Sequence, residues 1–134
     1  MKQFTLKSLI LTLLVLLGGV TPVWGEEETI NLSSGNFANS QITWQGISCT
    51  IVQTKGNSTT PPNKSYIAAP RWYKDNVVAF ASNEGYCITG VVVSCTNSSY
   101  ATALEKSAFT NGATAKANDK VVTISVSGDF EVTL

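Results

Sequence analysis

The segment GYCITGVVVSC, within Tyr86 to Thr96, constrains the fold more than any other stretch. Its odd positions Cys87, Val91, Val93 and Cys95 form one apolar face, while Ile88 and Val92 sit on the other. Such a run reads as a strand at the centre of a sheet, covered on both sides. A chain that contains it must supply neighbouring strands and a second layer.

The rest of the sequence supplies strands and almost no helix. No long stretch carries apolar residues at helical spacing without β-branched or glycine interruptions. Thr29 to Leu32 is a short apolar start, followed by a Ser-Ser-Gly-Asn turn region. Gln41 to Gln53 reads as strand, with Ile42 and Trp44 on one parity and Ile47, Cys49 and Ile51 on the other. The parity changes at Gly46, which calls for a bulge or tight turn, since a one-residue slip sends later side chains to the opposite face.

Lys55 to Ser65 (KGNSTTPPNKS) is a loop by composition. Tyr66 to Ala69, Arg71 to Tyr73 and Val77 to Ala81 follow as short strands, separated by Pro70 and by Lys74-Asp75-Asn76. Residues 97–119 are small and polar, and are expected to form either one helical turn at Ala101 to Lys106 or a poorly ordered edge. Val121 to Val126, a Ser-Gly-Asp turn and Phe130 to Leu134 read as a closing hairpin. Short strands joined by polar turns predict an all-β, two-layer antiparallel β-sandwich, jelly-roll or immunoglobulin-like. A membrane barrel is the competing all-β answer, but its strands need sustained alternation that most segments here lack.

Ahead of this domain stands MKQFTLKSLILTLLVLLGGVTPVWG, residues 1–25. Lys2 and Lys7 make a basic start, Ser8 to Val20 an apolar run, Pro22 a breaker and Val23-x-Gly25 a cleavage site. This is the pattern of a cleaved signal peptide. The mature protein is expected to start near Glu26 and to form a single domain over residues 26–134. No cysteine stands at the junction to carry a lipid, so the expected location is secreted, periplasmic or cell-surface-associated, with no membrane insertion after cleavage. Two of the nine basic residues leave with the leader, so seven face nine acidic residues and the net charge is −2. That balance, with Glu26 to Glu28 adjacent, argues against nucleic acid or an anionic membrane as partner. It leaves glycans and protein ligands.

Catalytic chemistry has little to work with. There is no histidine, so triads built on an imidazole base are excluded and a zinc site has neither His nor a CxxC pair. The carboxylates Glu26, Glu27, Glu28, Asp75, Glu84, Glu105, Asp119, Asp129 and Glu131 read as solvated turn residues; no spacing selects a glycosidase-like pair. Asp75, Asn76, Asn83 and Glu84 lack the dense oxygen alternation of a dedicated calcium site. No cofactor is expected. Cys87 and Cys95 lie about 26 Å apart along one extended strand, too far for a bridge. Two readings remain, a pairing of either one with Cys49 or all three as small apolar core residues, and the second is preferred. Asn31, Asn57, Asn63 and Asn97 each open an Asn-x-Ser/Thr triplet, read as loop markers.

Aromatic residues are the best pointer to a ligand. Trp44, Tyr66, Trp72 and Tyr73 lie on or beside strands, and such rings are what sugars stack on, with Arg71 or Asn76 to bind hydroxyls. Trp72 and Tyr73 are adjacent in extended chain, so they point to opposite faces and at most one is expected to be buried. The candidate ligand-binding residues are Trp72, Tyr73, Tyr66 and Arg71.

The stretches PPNKSYIAAP, RWYKDN and GYCITGVVVSC, with SSY directly after, resemble a small exported β-sandwich domain of uncharacterised Bacteroidetes surface and secreted proteins. The resemblance implies an accessory or cell-surface module, without enzymatic activity and without established binding residues. That family usually closes on a further strand of the Arg-Ile-x-x-Ile-x-Val-x-Tyr kind, where this chain stops at FEVTL. The expected function is a non-enzymatic exported binding or adhesion module with a glycan ligand. The alternatives are a structural surface protein contacting proteins through an open strand edge, and a small carboxylate-dependent hydrolase.

Overall fold

The computed structural model describes residues 2–11 and 26–134. Most of the expected leader's apolar run and its cleavage junction lie outside the described residues. Among the described residues, twelve strands and one α-helix follow in order: β1 (Lys2–Leu11), β2 (Glu26–Glu28), β3 (Asn36–Ala38), β4 (Gln41–Gln45), β5 (Cys49–Thr54), β6 (Arg71–Trp72), β7 (Val77–Ser82), β8 (Ile88–Cys95), α1 (Ser98–Glu105), β9 (Ala108–Phe109), β10 (Thr114–Asn118), β11 (Val121–Ser125) and β12 (Phe130–Thr133). They form two antiparallel sheets, the layers of a β-sandwich. One runs β10-β11-β8-β1-β2, with β6 also pairing with the start of β1; the other runs β3-β4-β5-β7-β12-β9.

Period-two patterning builds the core between the sheets. Ile42, Trp44, Cys49, Ile51, Val78, Phe80, Phe130 and Val132 come from one sheet; Ile88, Val91, Val93, Cys95, Val122 and Ile124 come from the other. Burying each of the larger side chains contributes about 1.5–3 kcal/mol. Phe80 and Phe130 are register partners, and their rings stack 4.6 Å apart. The Trp44 indole donates to the carbonyl of Leu32 at 2.9 Å and lies against Gly35, where an added Cβ would stand 2.5 Å from Trp44 Nε1. Only glycine fits that approach.

β8 is central, as its sequence requires, and its second face is only half-buried: Val92 and Ser94 are intermediate, while Val91 and Val93 are fully buried. Cys87 precedes the strand, and a register shift near Thr89 brings Ile88 onto the buried side, against its parity. The parity change at Gly46 is a tight turn, where the Gly46 N–H donates to the Cys49 carbonyl at 2.8 Å between β4 and β5.

Three expectations are corrected. Val121–Ser125 and Phe130–Thr133 do not pair: β11 lies between β8 and β10, whereas β12 lies between β7 and β9. The Ser-Gly-Asp segment therefore crosses between layers, letting Val122 and Ile124 meet the core from one sheet and Phe130 and Val132 from the other. Tyr66 to Ala69 is not a strand but the end of a 3-10 turn at Lys64–Tyr66 and the bend after it. The small, polar region 97–119 holds an eight-residue helix and two strands. α1 is capped by Asn97 Oδ1, which accepts from the Tyr100 N–H at 3.0 Å, and it buries Ala101 and Leu104. Its Glu105 accepts the Ala117 N–H at 2.6 Å, satisfying a donor on the terminal strand β10.

Candidate functional site

The segment from Asn63 to Asn76 carries all four candidate residues, and hydrogen bonds fix it at each end. Asn63 Oδ1 caps the 3-10 turn by accepting the Ser65 N–H at 2.8 Å, and the Ala69 N–H donates to the Tyr66 carbonyl at 3.0 Å. Pro70 then ends the turn and the chain becomes extended through β6. Gln53, fully buried in β5, donates its Nε2 to the Arg71 carbonyl at 2.8 Å. Asn76 Oδ1 accepts the Tyr73 N–H at 3.0 Å.

This anchoring decides which face each side chain takes. Trp72 points inward: it is 1% exposed and meets Trp44 edge-on, with ring centroids 6.5 Å apart. The structure therefore corrects Trp72 as a sugar platform, because a ring enclosed by the core offers no face to a ligand. Arg71 and Tyr73, on the opposite parity, are both half-buried. The Arg71 guanidinium lies over the half-buried Tyr66 ring, 3.6 Å from its centroid. Tyr66 and Arg71 are thus brought together as a stacked pair, with Tyr73 two residues beyond Arg71 along the extended chain.

Asn76 is a structural hub rather than a ligand group. It is 0% exposed, and its Nδ2 donates to the carbonyls of Lys55 and Thr60 at 3.2 and 3.0 Å. Sequence reading placed it in a solvent-facing turn and missed this role. The usable signal lay in the preceding loop, which cannot form a ladder and so needs an external partner for its carbonyls. Asn83 is also committed: its Nδ2 donates to the Gly46 and Ile47 carbonyls and its Oδ1 accepts from Thr50. Three of the Asn-x-Ser/Thr asparagines, Asn31, Asn63 and Asn97, serve as N-caps.

Several carboxylates are brackets rather than free turn residues. Glu28 accepts from the Ile47 N–H at 2.7 Å and from the Ser48 N–H and hydroxyl, tying β2 to the β4–β5 turn. Asp129 accepts from the Ser82 N–H and hydroxyl. Among the described residues, no three His, Cys, Asp or Glu side chains group as a metal site.

The three cysteines are free. Burial pushes the Cys49 thiol up to about 12, helped by the negative charges of Glu28 and Asp129, and burial alone takes Cys95 to about 12. Both are protonated core groups with no nucleophilic character at neutral pH. The surface carries shallow depressions: one of about 520 Å³ beside Lys74, Lys106 and Leu134, another of about 370 Å³ beside Glu27, Ile47 and Tyr86. No helix among the described residues is long and apolar enough to cross a membrane. No protein-family model, curated protein or solved structure matches this chain.

Proposed function

We propose that the chain is an exported, non-catalytic binding module whose ligand face is formed by Tyr66, Arg71 and Tyr73, and that its ligand is a glycan. The observation that carries this reading is the Arg71 guanidinium held 3.6 Å over Tyr66. The backbone beneath Arg71 is pinned by Gln53, so a planar array of donors stands beside aromatic surface with little ordering left to do on binding. Sugar rings use both elements: C–H faces pack on aromatic rings, and hydroxyls accept from guanidinium N–H groups.

The test is a glycan array probed with the exported protein, followed by titration of any hit with Arg71→Ala and Tyr73→Ala. Saturable binding that each substitution weakens about tenfold, with unfolding midpoints unchanged, supports the reading. An array without hits overturns it.

A further inference from the structure

β1 is an inner strand: one side is laddered to β8 from Phe4↔Cys95 to Leu11↔Ile88, the other pairs with β2 at Leu9–Leu11, and its first residues, Lys2 and Gln3, pair with β6. These same residues open the leader that the sequence marks for removal on export. One segment cannot be both discarded and a permanent inner strand. We infer that β1 is a placeholder, and that processing opens a slot between β8 and β2 which accepts an extended strand from another protein. This rests on the leader reading and is independent of the glycan face.

The register specifies the occupant. The four buried residues of β8, namely Ile88, Val91, Val93 and Cys95, stand opposite Leu11, Leu9, Leu6 and Phe4. Thr5 and Ser8 fall opposite Ser94 and Val92, which are only half-buried, and a register shift between Leu6 and Ser8 keeps the match despite the extra residue Lys7. Directly opposed residues of an antiparallel pair share a face, so the slot selects apolar residues at these four positions. Glu26, Glu27 and Glu28 stand opposite Leu11, Ile10 and Leu9, so that end of the slot disfavours an acidic donor. A second processed copy has no spare segment of this pattern among its described residues 26–134, because Ile30, Leu32 and the alternating runs of β4, β5, β7, β11 and β12 are already core. The occupant is therefore a foreign extended segment, ten residues long like β1, apolar at the four core positions, and uncharged or basic where it meets Glu26–Glu28.

The full gene is expressed in an exporting host, and the N-terminus of the recovered protein is read by intact mass. The synthetic peptide KQFTLKSLIL is then titrated into the processed form. The expected result is saturable one-to-one binding, peptide-dependent protection of β8 amides from hydrogen exchange, and binding about a hundredfold weaker for a peptide carrying Leu6→Lys and Leu9→Lys. Three results overturn the proposal: retention of residues 1–25 in the exported protein, β8 amides already protected without peptide, or equal binding of both peptides. Failure of the glycan array leaves each of these readouts unaffected.

Discussion

The side-chain amide of Gln53 donates to Oδ1 of Asn76 across 2.9 Å, and neither residue has any exposed surface. Around this bond the protein joins β5 to the Arg71 carbonyl, to the Lys55–Thr60 loop and, through the Asn76 main chain, to Leu134. The two partners are not equivalent. All four side-chain bonds that Asn76 can make are made, whereas Gln53 Oε1 has no partner among the described residues. Asn76→Ala orphans two loop carbonyls, the Tyr73 N–H and one Gln53 donor, and is expected to cost about 3 kcal/mol. Gln53→Met loses two bonds but removes the orphaned oxygen, and is expected to cost about 1 kcal/mol. Urea unfolding of the two variants checks the order; equal midpoints would contradict the hub.

Trp72 packs on Trp44 in the core, so Trp72→Ala leaves a large cavity and is expected to lower stability by about 3–5 kcal/mol. Tyr73→Ala, one residue on and half-buried, is expected to cost under about 1 kcal/mol. Thermal unfolding separates them. Comparable losses at both positions would mean that Tyr73 is as much a core residue as its neighbour.

Alternation places Trp72 and Tyr73 on opposite faces but does not say which goes inward. Gln53 and Asn76 decide that by holding the backbone from beneath: Gln53 reaches Arg71 from eighteen residues away, and Asn76, though only three residues from Tyr73, is itself fixed by Gln53, Lys55 and Thr60, which are distant in sequence. The same limit explains the closing strands. Val121–Ser125 and Phe130–Thr133 alternate as strands should, yet the pattern is silent on which sheet each joins, and the short turn between them suits a hairpin as well as a crossing. β10, with sequence TAKAN, went unrecognised because its inward positions are alanines, too small to mark a face. β8 and the Lys55–Ser65 loop were legible because β-branched alternation and proline act locally. The Arg71–Tyr66 stack was half legible: the residue types were visible, but the 3-10 turn that folds one over the other follows from the Asn63 cap.

Stability should fall in alkali through two buried thiols. Burial first, then the charges of Glu28 and Asp129, holds Cys49 at about 12, and burial holds Cys95 at about 12, against 9.0 for the unperturbed thiol. A folded-state value above the unfolded one means the contribution is complete below pH 9.0 and is lost as pH rises from there towards about 12. The unfolding midpoint of the Cys49→Ala, Cys95→Ala variant should decline less steeply over that window than that of the unsubstituted protein. Parallel declines would assign the loss to other groups. In the native protein a thiol reagent at neutral pH should label half-buried Cys87 first, with Cys49 and Cys95 reacting only on unfolding.

Glu28 fastens the β4–β5 turn from outside its own sheet, accepting from two backbone N–H groups and the Ser48 hydroxyl. Glu28→Ala is expected to cost about 1–2 kcal/mol and to raise hydrogen exchange at the Ile47 and Ser48 amides. Ile47 itself is 77% exposed at the tip of that turn, so Ile47→Thr should leave the midpoint within about 0.5 kcal/mol of its starting value. A large loss for Ile47→Thr would mean that the turn is held by its apolar tip and not by the carboxylate.

The hairpin between β3 and β4 turns on Asn39 and Ser40, both in the left-handed region at φ 54° and 60°. That is the backbone of a two-residue turn whose twist matches its flanking strands, and the second position prefers glycine. Asparagine tolerates the conformation through local hydrogen bonding, whereas serine meets the steric penalty of its Cβ, about 1 kcal/mol. Ser40 is exposed, so its side chain packs against nothing that would be lost. Ser40→Gly should therefore stabilise the protein by about 0.5–1 kcal/mol despite the greater freedom it gives the unfolded chain. Asn39→Val, a β-branched side chain in the same conformation, should destabilise it by at least about 1 kcal/mol. Chemical unfolding of the two variants tests the turn directly: shifts of the same sign would mean that residues 39 and 40 are not held at positive φ in solution.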